Sequence, residues 1–115
     1  MSHLTTHVLD TTHGRPAAGV DVTLTDAAGT VVASGTTDAD GRVTELGPDR
    51  LAPGEWTLSF ATGAWWAARD TVALHPRVDV VLTVPASAAD PEGPGAHLHV
   101  PLLLSPFAYS TYRGS

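Results

Sequence analysis

Cysteine is absent from this 115-residue chain, which therefore has no disulfide, no thiolate nucleophile and no Cys-ligated zinc site. Lysine is absent too. The six cationic residues are all arginine, set against twelve acids, for a formal charge of −6. That balance is a poor electrostatic footprint for nucleic acid or an anionic membrane surface, and neither partner is expected. No apolar run approaches the ~20 residues that span a bilayer. The first residues, Met1 to Thr6, show neither the basic stretch nor the apolar stretch that opens a secretory signal, so a cytoplasmic location is expected. What is present reads as a folded globule, with 43% apolar and 16% charged residues. A chain of this size buries roughly two thirds of its unfolded surface in one core, so residues 1–115 are expected to form a single domain.

Turn signals recur at short intervals: His13-Gly14-Arg15-Pro16, Asp26-Ala27-Ala28-Gly29, Asp38-Ala39-Asp40-Gly41, Gly47-Pro48 and Ala52-Pro53-Gly54. Runs rich in Val, Thr and Leu lie between them, a spacing that predicts an all-β sandwich. Val78, Val80, Leu82 and Val84 share one face of the clearest strand, with Asp79, Val81 and Thr83 on the other. Val20 to Thr25 and Glu55 to Phe60 alternate in the same way. Only Gly63 to Thr71 has the composition for a short helix. Pro85 to Ala96, with three prolines and two glycines, reads as an exposed loop.

Alternation also places the candidate chemistry. In the first strand Leu4, Thr6 and Val8 face the core and Thr5, His7 and Leu9 face away. In a late strand Leu98, Val100 and Leu102 face inward, leaving His97, His99, Pro101 and Leu103 outward. If the first and last strands flank this one, their outer faces gather imidazoles, hydroxyls and the phenol of Tyr112. Imidazole suits acid–base work because its ordinary pKa lies near neutrality. The i, i+2 pair His97 and His99, with His7, also has a spacing that suits zinc. No Asp or Glu stands where it would support such ligands, and no metal is assigned. His3, His13 and His75 read as surface residues. Asp38 to Arg42 resembles the start of a calcium loop but lacks its later glutamate and flanking helices, and reads as a turn. Arg42 behind it is either a solvated cation or a fixed fork for an anionic group.

Thr5-Thr6-His7-Val8-Leu9-Asp10, Gly14-Arg15-Pro16-Ala17, Thr37-Asp38-Ala39-Asp40-Gly41-Arg42, His99-Val100-Pro101-Leu102-Leu103-Leu104-Ser105-Pro106 and the terminal Tyr112-Arg113-Gly114-Ser115 follow one another in order. Together they resemble the 5-hydroxyisourate hydrolases, transthyretin-like enzymes of urate breakdown. The resemblance implies a transthyretin-like (prealbumin-like) sandwich of two four-stranded sheets with one short helix. It implies a homotetramer, a dimer of dimers with active sites in the channel between them. The implied reaction is hydrolysis of 5-hydroxyisourate to 2-oxo-4-hydroxy-4-carboxy-5-ureidoimidazoline by water, without metal or organic cofactor. Carried over residue by residue, His7, Arg42, His99 and Ser115 are the catalytic set, and His7, Arg42, Tyr112, Arg113 and Gly114 contact substrate. The competing reading is a transthyretin-like carrier that binds an aromatic small molecule without turning it over.

Overall fold

Period-two alternation of apolar residues dictates which elements form and which face each buries. The computed structural model describes residues 2–86 and 97–114, so Ser115 and most of the segment read as an exposed loop lie outside the described residues. Among the described residues, nine strands and one helix follow in order: β1 (Leu4–Asp10), β2 (Arg15–Pro16), β3 (Asp21–Asp26), β4 (Val31–Thr36), β5 (Arg42–Val43), β6 (Gly54–Phe60), α1 (Thr62–Ala67), β7 (Val78–Val84), β8 (Leu98–Ser105) and β9 (Ala108–Thr111). One sheet runs β2-β1-β8-β9 and the other β4-β3-β6-β7. The two-residue β5 adds a fifth strand to the first sheet by pairing with β1, beyond the four that the resemblance implies.

Every pairing between these strands is antiparallel except that of β1 with β8, which is parallel. A parallel neighbour needs a long crossover, and here the whole second sheet is built between the two strands. The inward residues of both sheets, among them Val8, Leu24, Leu58, Phe60 and Leu102, are fully buried and form the core. Trp66 of α1 is buried with them. The helix is shorter than its composition predicts. Thr71 N–H bonds back to Trp66 O at 3.0 Å, and Asp70 sits at φ +53°, reversing the chain where the helix would have continued. Among the described residues, no helix is long and apolar enough to cross a membrane.

His3 corrects one expectation. Rather than lying at the surface it is 4% exposed, held by a loop 45 to 48 residues further on. Its Nδ1 accepts from Leu51 N–H at 2.8 Å and its own N–H donates to Pro48 O at 3.1 Å. His13 does lie at the surface, its Nδ1 2.6 Å from the buried Asp10 carboxylate, and His75 is half-buried, edge-on to Tyr109.

The turn that delivers β5 is built by Asp38. Its Oδ1 accepts from Asp40 N–H (2.9 Å) and Arg42 N–H (3.0 Å), and Gly41 N–H closes onto Asp38 O (2.9 Å). Gly41, at φ +76°, lies so close to β1 that a Cβ would collide with Val8 O, whereas Gly14, at φ +67°, has open space around it. Urea denaturation should therefore separate the two. Gly14→Ala should lower stability by about 1 kcal/mol, the penalty of a left-handed alanine. Gly41→Ala should lower it by about 3 kcal/mol or more, because backbone must also shift. Equal losses would show that the turn does not pack on β1 as described.

Candidate active site

Three elements bring their outward residues to one face of the first sheet. The parallel register pairs Thr5 with His99 and His7 with Pro101, while the antiparallel β5 pairs Arg42 with His7 and Val43 with Thr6. Directly opposed residues share a face, so Arg42 and His7 stand side by side, about 5 Å apart at Cβ. His7 and His99 are diagonal neighbours, roughly 8 Å apart at Cα by ordinary strand spacing and rise. Inward neighbours of both histidines are buried while the histidines themselves are only half-buried, as alternation predicts.

The C-terminal segment returns over β8. Gly114 N–H donates to His99 O at 2.8 Å and forms a bridge opposite His99. A Cβ on Gly114 would stand 2.5 Å from His99 Cδ2 and 3.2 Å from Pro101 Cγ, so only glycine passes over the imidazole without displacing it. Pro101 is on the outward face, as expected, but is buried under this crossing, its carbonyl accepting from Thr111 Oγ1 at 2.7 Å. Tyr112 and Arg113 turn elsewhere. With His99 they line a cavity of about 190 Å³ at the open edge of the sandwich, whose other walls include Val80, Leu82, Leu98 and Val100. His7 and Arg42 are not on that cavity. The structure thus joins His7, Arg42, His99 and Gly114 on one face and places Tyr112 and Arg113 around one flank of His99.

A contact that strand alternation alone did not single out is made by Thr5. Its Oγ1 lies 2.9 Å from His99 Nδ1 and 3.0 Å from His97 Nε2. The signal was present in the pattern, because Thr5 shares the outward face with His7, but the register that sets it opposite His99 has no local trace.

Partial burial is the largest cause holding the His99 pKa below the ordinary 6.5, followed by the charge of Arg42 and then by His7 and His97. A neutral imidazole beside a guanidinium can take a proton from water while the guanidinium binds an anionic oxygen, which is the division of labour that hydrolysis needs. Among the described residues, no group of three or more His, Asp or Glu side chains is arranged to hold a metal ion.

Residues 4–114 match the family described as HIUase/Transthyretin. A 5-hydroxyisourate hydrolase of Caulobacter vibrioides is 41% identical over 118 aligned residues that cover all of this chain and all of that protein. The solved 5-hydroxyisourate hydrolase of Klebsiella pneumoniae superposes with a TM-score of 0.85 at 35% identity, covering 97% of this chain and 98% of that one. Sea bream transthyretin in complex with thyroxine is also similar, with a TM-score of 0.82 and 32% identity over 96% of this chain and 93% of its own.

The lowered His99 pKa has a definite sign in stability. The unfolded chain takes up this proton near 6.5, and the folded chain only at lower pH. The contribution of His99 is therefore fully retained above about 6.5, is lost as pH falls from there to the folded value, and levels off below it. NMR titration should give His99 a midpoint below 6.5. Arg42→Gln should raise that midpoint only part of the way, because burial is the larger cause. A midpoint at or above 6.5 would contradict this electrostatic picture.

Proposed function

We propose that this chain, which belongs to the HIUase/transthyretin family, hydrolyses 5-hydroxyisourate to 2-oxo-4-hydroxy-4-carboxy-5-ureidoimidazoline in urate breakdown. Relatives named for that hydrolysis align with the chain over its full length. The observation that carries the reading is the register that sets His7 beside Arg42 and diagonal to His99 on one face.

In this reading one of His7 and His99 takes a proton from water as its oxygen adds to the ring carbonyl, and the other orients substrate or returns a proton to the leaving nitrogen. The carbon–nitrogen bond breaks, one water proton ends on nitrogen, and the new carboxyl group ionises at neutral pH. Arg42 holds the acidic ring oxygens and disfavours charging of His99. Gly114 lets the terminal segment lie against His99, and Tyr112 and Arg113 bind substrate along the neighbouring flank. Ser115 positions substrate or water through its hydroxyl, or pairs an arginine through the terminal carboxylate. No metal or organic cofactor takes part.

The working unit in this proposal is a cytoplasmic homotetramer, a dimer of dimers, of a single domain. Its support within the chain is the apolar surface left at one end. Val72, Leu74 and Phe107 are 79%, 64% and 64% exposed, with Tyr109 beside them, and Leu74 N–H donates to Pro106 O at 2.8 Å, which joins the loop before β7 to the β8–β9 turn. Among the described residues, β7 and β9 end their sheets and offer edges for pairing with another copy.

The direct assay generates 5-hydroxyisourate in situ from urate with urate oxidase and follows its ultraviolet absorbance. The protein should accelerate decay, equally with and without a chelator; no acceleration would favour the non-catalytic carrier. His7→Ala and His99→Ala should each lose about 10²–10⁴-fold in kcat/KM, and activity within threefold of wild type at unchanged fold would remove that residue from the chemistry. Deleting Gly114 and Ser115 should also abolish most activity. Light scattering should return four times the 11.9 kDa chain mass, and a monomer would refute the assembly.

A further inference from the structure

One hydroxyl joins two of the three imidazoles on the outer face. Thr5 Oγ1 contacts His99 Nδ1 at 2.9 Å and His97 Nε2 at 3.0 Å, and the Thr5↔His99 register makes the first contact a property of the sheet. His99 and Thr5 are half-buried and His97 is exposed. A hydroxyl has one proton to donate and can accept from two partners. With Nδ1 of His99 committed to Thr5, Nε2 is the nitrogen left for substrate.

Two ordered chains satisfy all three groups. In one, His99 Nδ1–H donates to Thr5, whose proton points to His97 Nε2; this leaves a lone pair on His99 Nε2, the form a base requires. In the reverse, His97 Nε2–H donates to Thr5, Thr5 donates to His99 Nδ1, and the proton on His99 sits on Nε2, where it can only be donated. A wrong tautomer disables an otherwise intact histidine base.

Taking His99 as the one of the two histidines that accepts the proton from water, we propose that Thr5 and His97 are positioning residues for the hydrolysis, selecting the His99 tautomer that can accept a proton, and that protonation of the exposed His97 reverses the chain and withdraws the base. A protonated His97 has no lone pair on Nε2, so Thr5 must accept from it and donate to His99 Nδ1. His97 takes one proton from solvent, while His99 exchanges its Nδ1 proton for one on Nε2 through solvent, with no other net change. The other groups facing His99 are His7 from β1, Arg42 from β5, and Tyr112 and Arg113 from the C-terminal segment. Among the described residues, Thr5 is the side chain that holds Nδ1. The inference rests on the hydrolytic reading above, but its structural half can be read without substrate.

Two measurements on the full chain test it. Long-range proton–nitrogen NMR without substrate should show His99 protonated on Nδ1 while His97 is neutral, converting to the Nε2–H form as His97 titrates. In kinetics with 5-hydroxyisourate, Thr5→Val, which keeps shape and removes the hydroxyl, should lower kcat about tenfold or more with KM within twofold, since a 1.4 kcal/mol bias in the tautomer is tenfold in rate. Thr5→Ser should restore most of it. His97→Ala, at an exposed position, should make the acid limb of log kcat/KM against pH less steep than in the wild type. Thr5→Val within twofold of wild type, or a His99 tautomer indifferent to His97, would overturn the proposal. A wild type that does not accelerate decay would remove the hydrolytic reading instead, and the NMR measurement alone would then decide the coupling.

Discussion

The parallel pairing of β1 with β8 is the constraint on which the site depends. It fixes Thr5 opposite His99 and His7 opposite Pro101. A slip of β8 by one residue would turn His99 into the core and bring Leu98 and Val100 to the surface, so burial of the apolar set enforces the geometry of the site. The pairing is also long-range, with over ninety positions separating Thr5 from its partner. The second sheet and α1 lie in the chain between these strands, and the core they form with the inward residues of β1 and β8 holds the two histidines in register.

Around that pair the remaining groups arrive by different physical routes. Arg42 is delivered by a tight turn whose Asp38 carboxylate collects backbone N–H groups and whose Gly41 is pressed against β1. Gly114 is delivered by the return of the chain over β8, where the close approach to His99 leaves no room for a side chain. Partial burial and the neighbouring guanidinium then keep His99 neutral below its ordinary range. A half-buried imidazole flanked by a neighbouring cation and a close-packed backbone is suited to proton transfer on a small polar ring.

Much of this was legible in the chain. Alternation in Leu4 to Leu9, in Val78 to Val84 and around His99 predicts the observed faces, because a half-buried strand cannot hide its period. The family motifs singled out Arg42, which periodicity alone leaves as one more surface cation, since β5 is only two residues long. Burial of His3 has no local mark in the sequence, because its partners, Pro48 and Leu51, lie far along the chain. The bridging contacts of Thr5 have none for the same reason. The helix ended early because Asp70 takes a left-handed conformation that composition does not reveal. Local pattern carried the faces, and long-range register carried the contacts.

The central claim is that His7, Arg42 and His99 act as one apparatus rather than as three separate surface groups. A double-mutant cycle on kcat/KM between His7→Ala and His99→Ala measures this most directly. Residues that work as a unit are strongly non-additive, so the double variant should be about as slow as the slower single one. Losses that multiply would mean that the two imidazoles act independently, and would contradict the account.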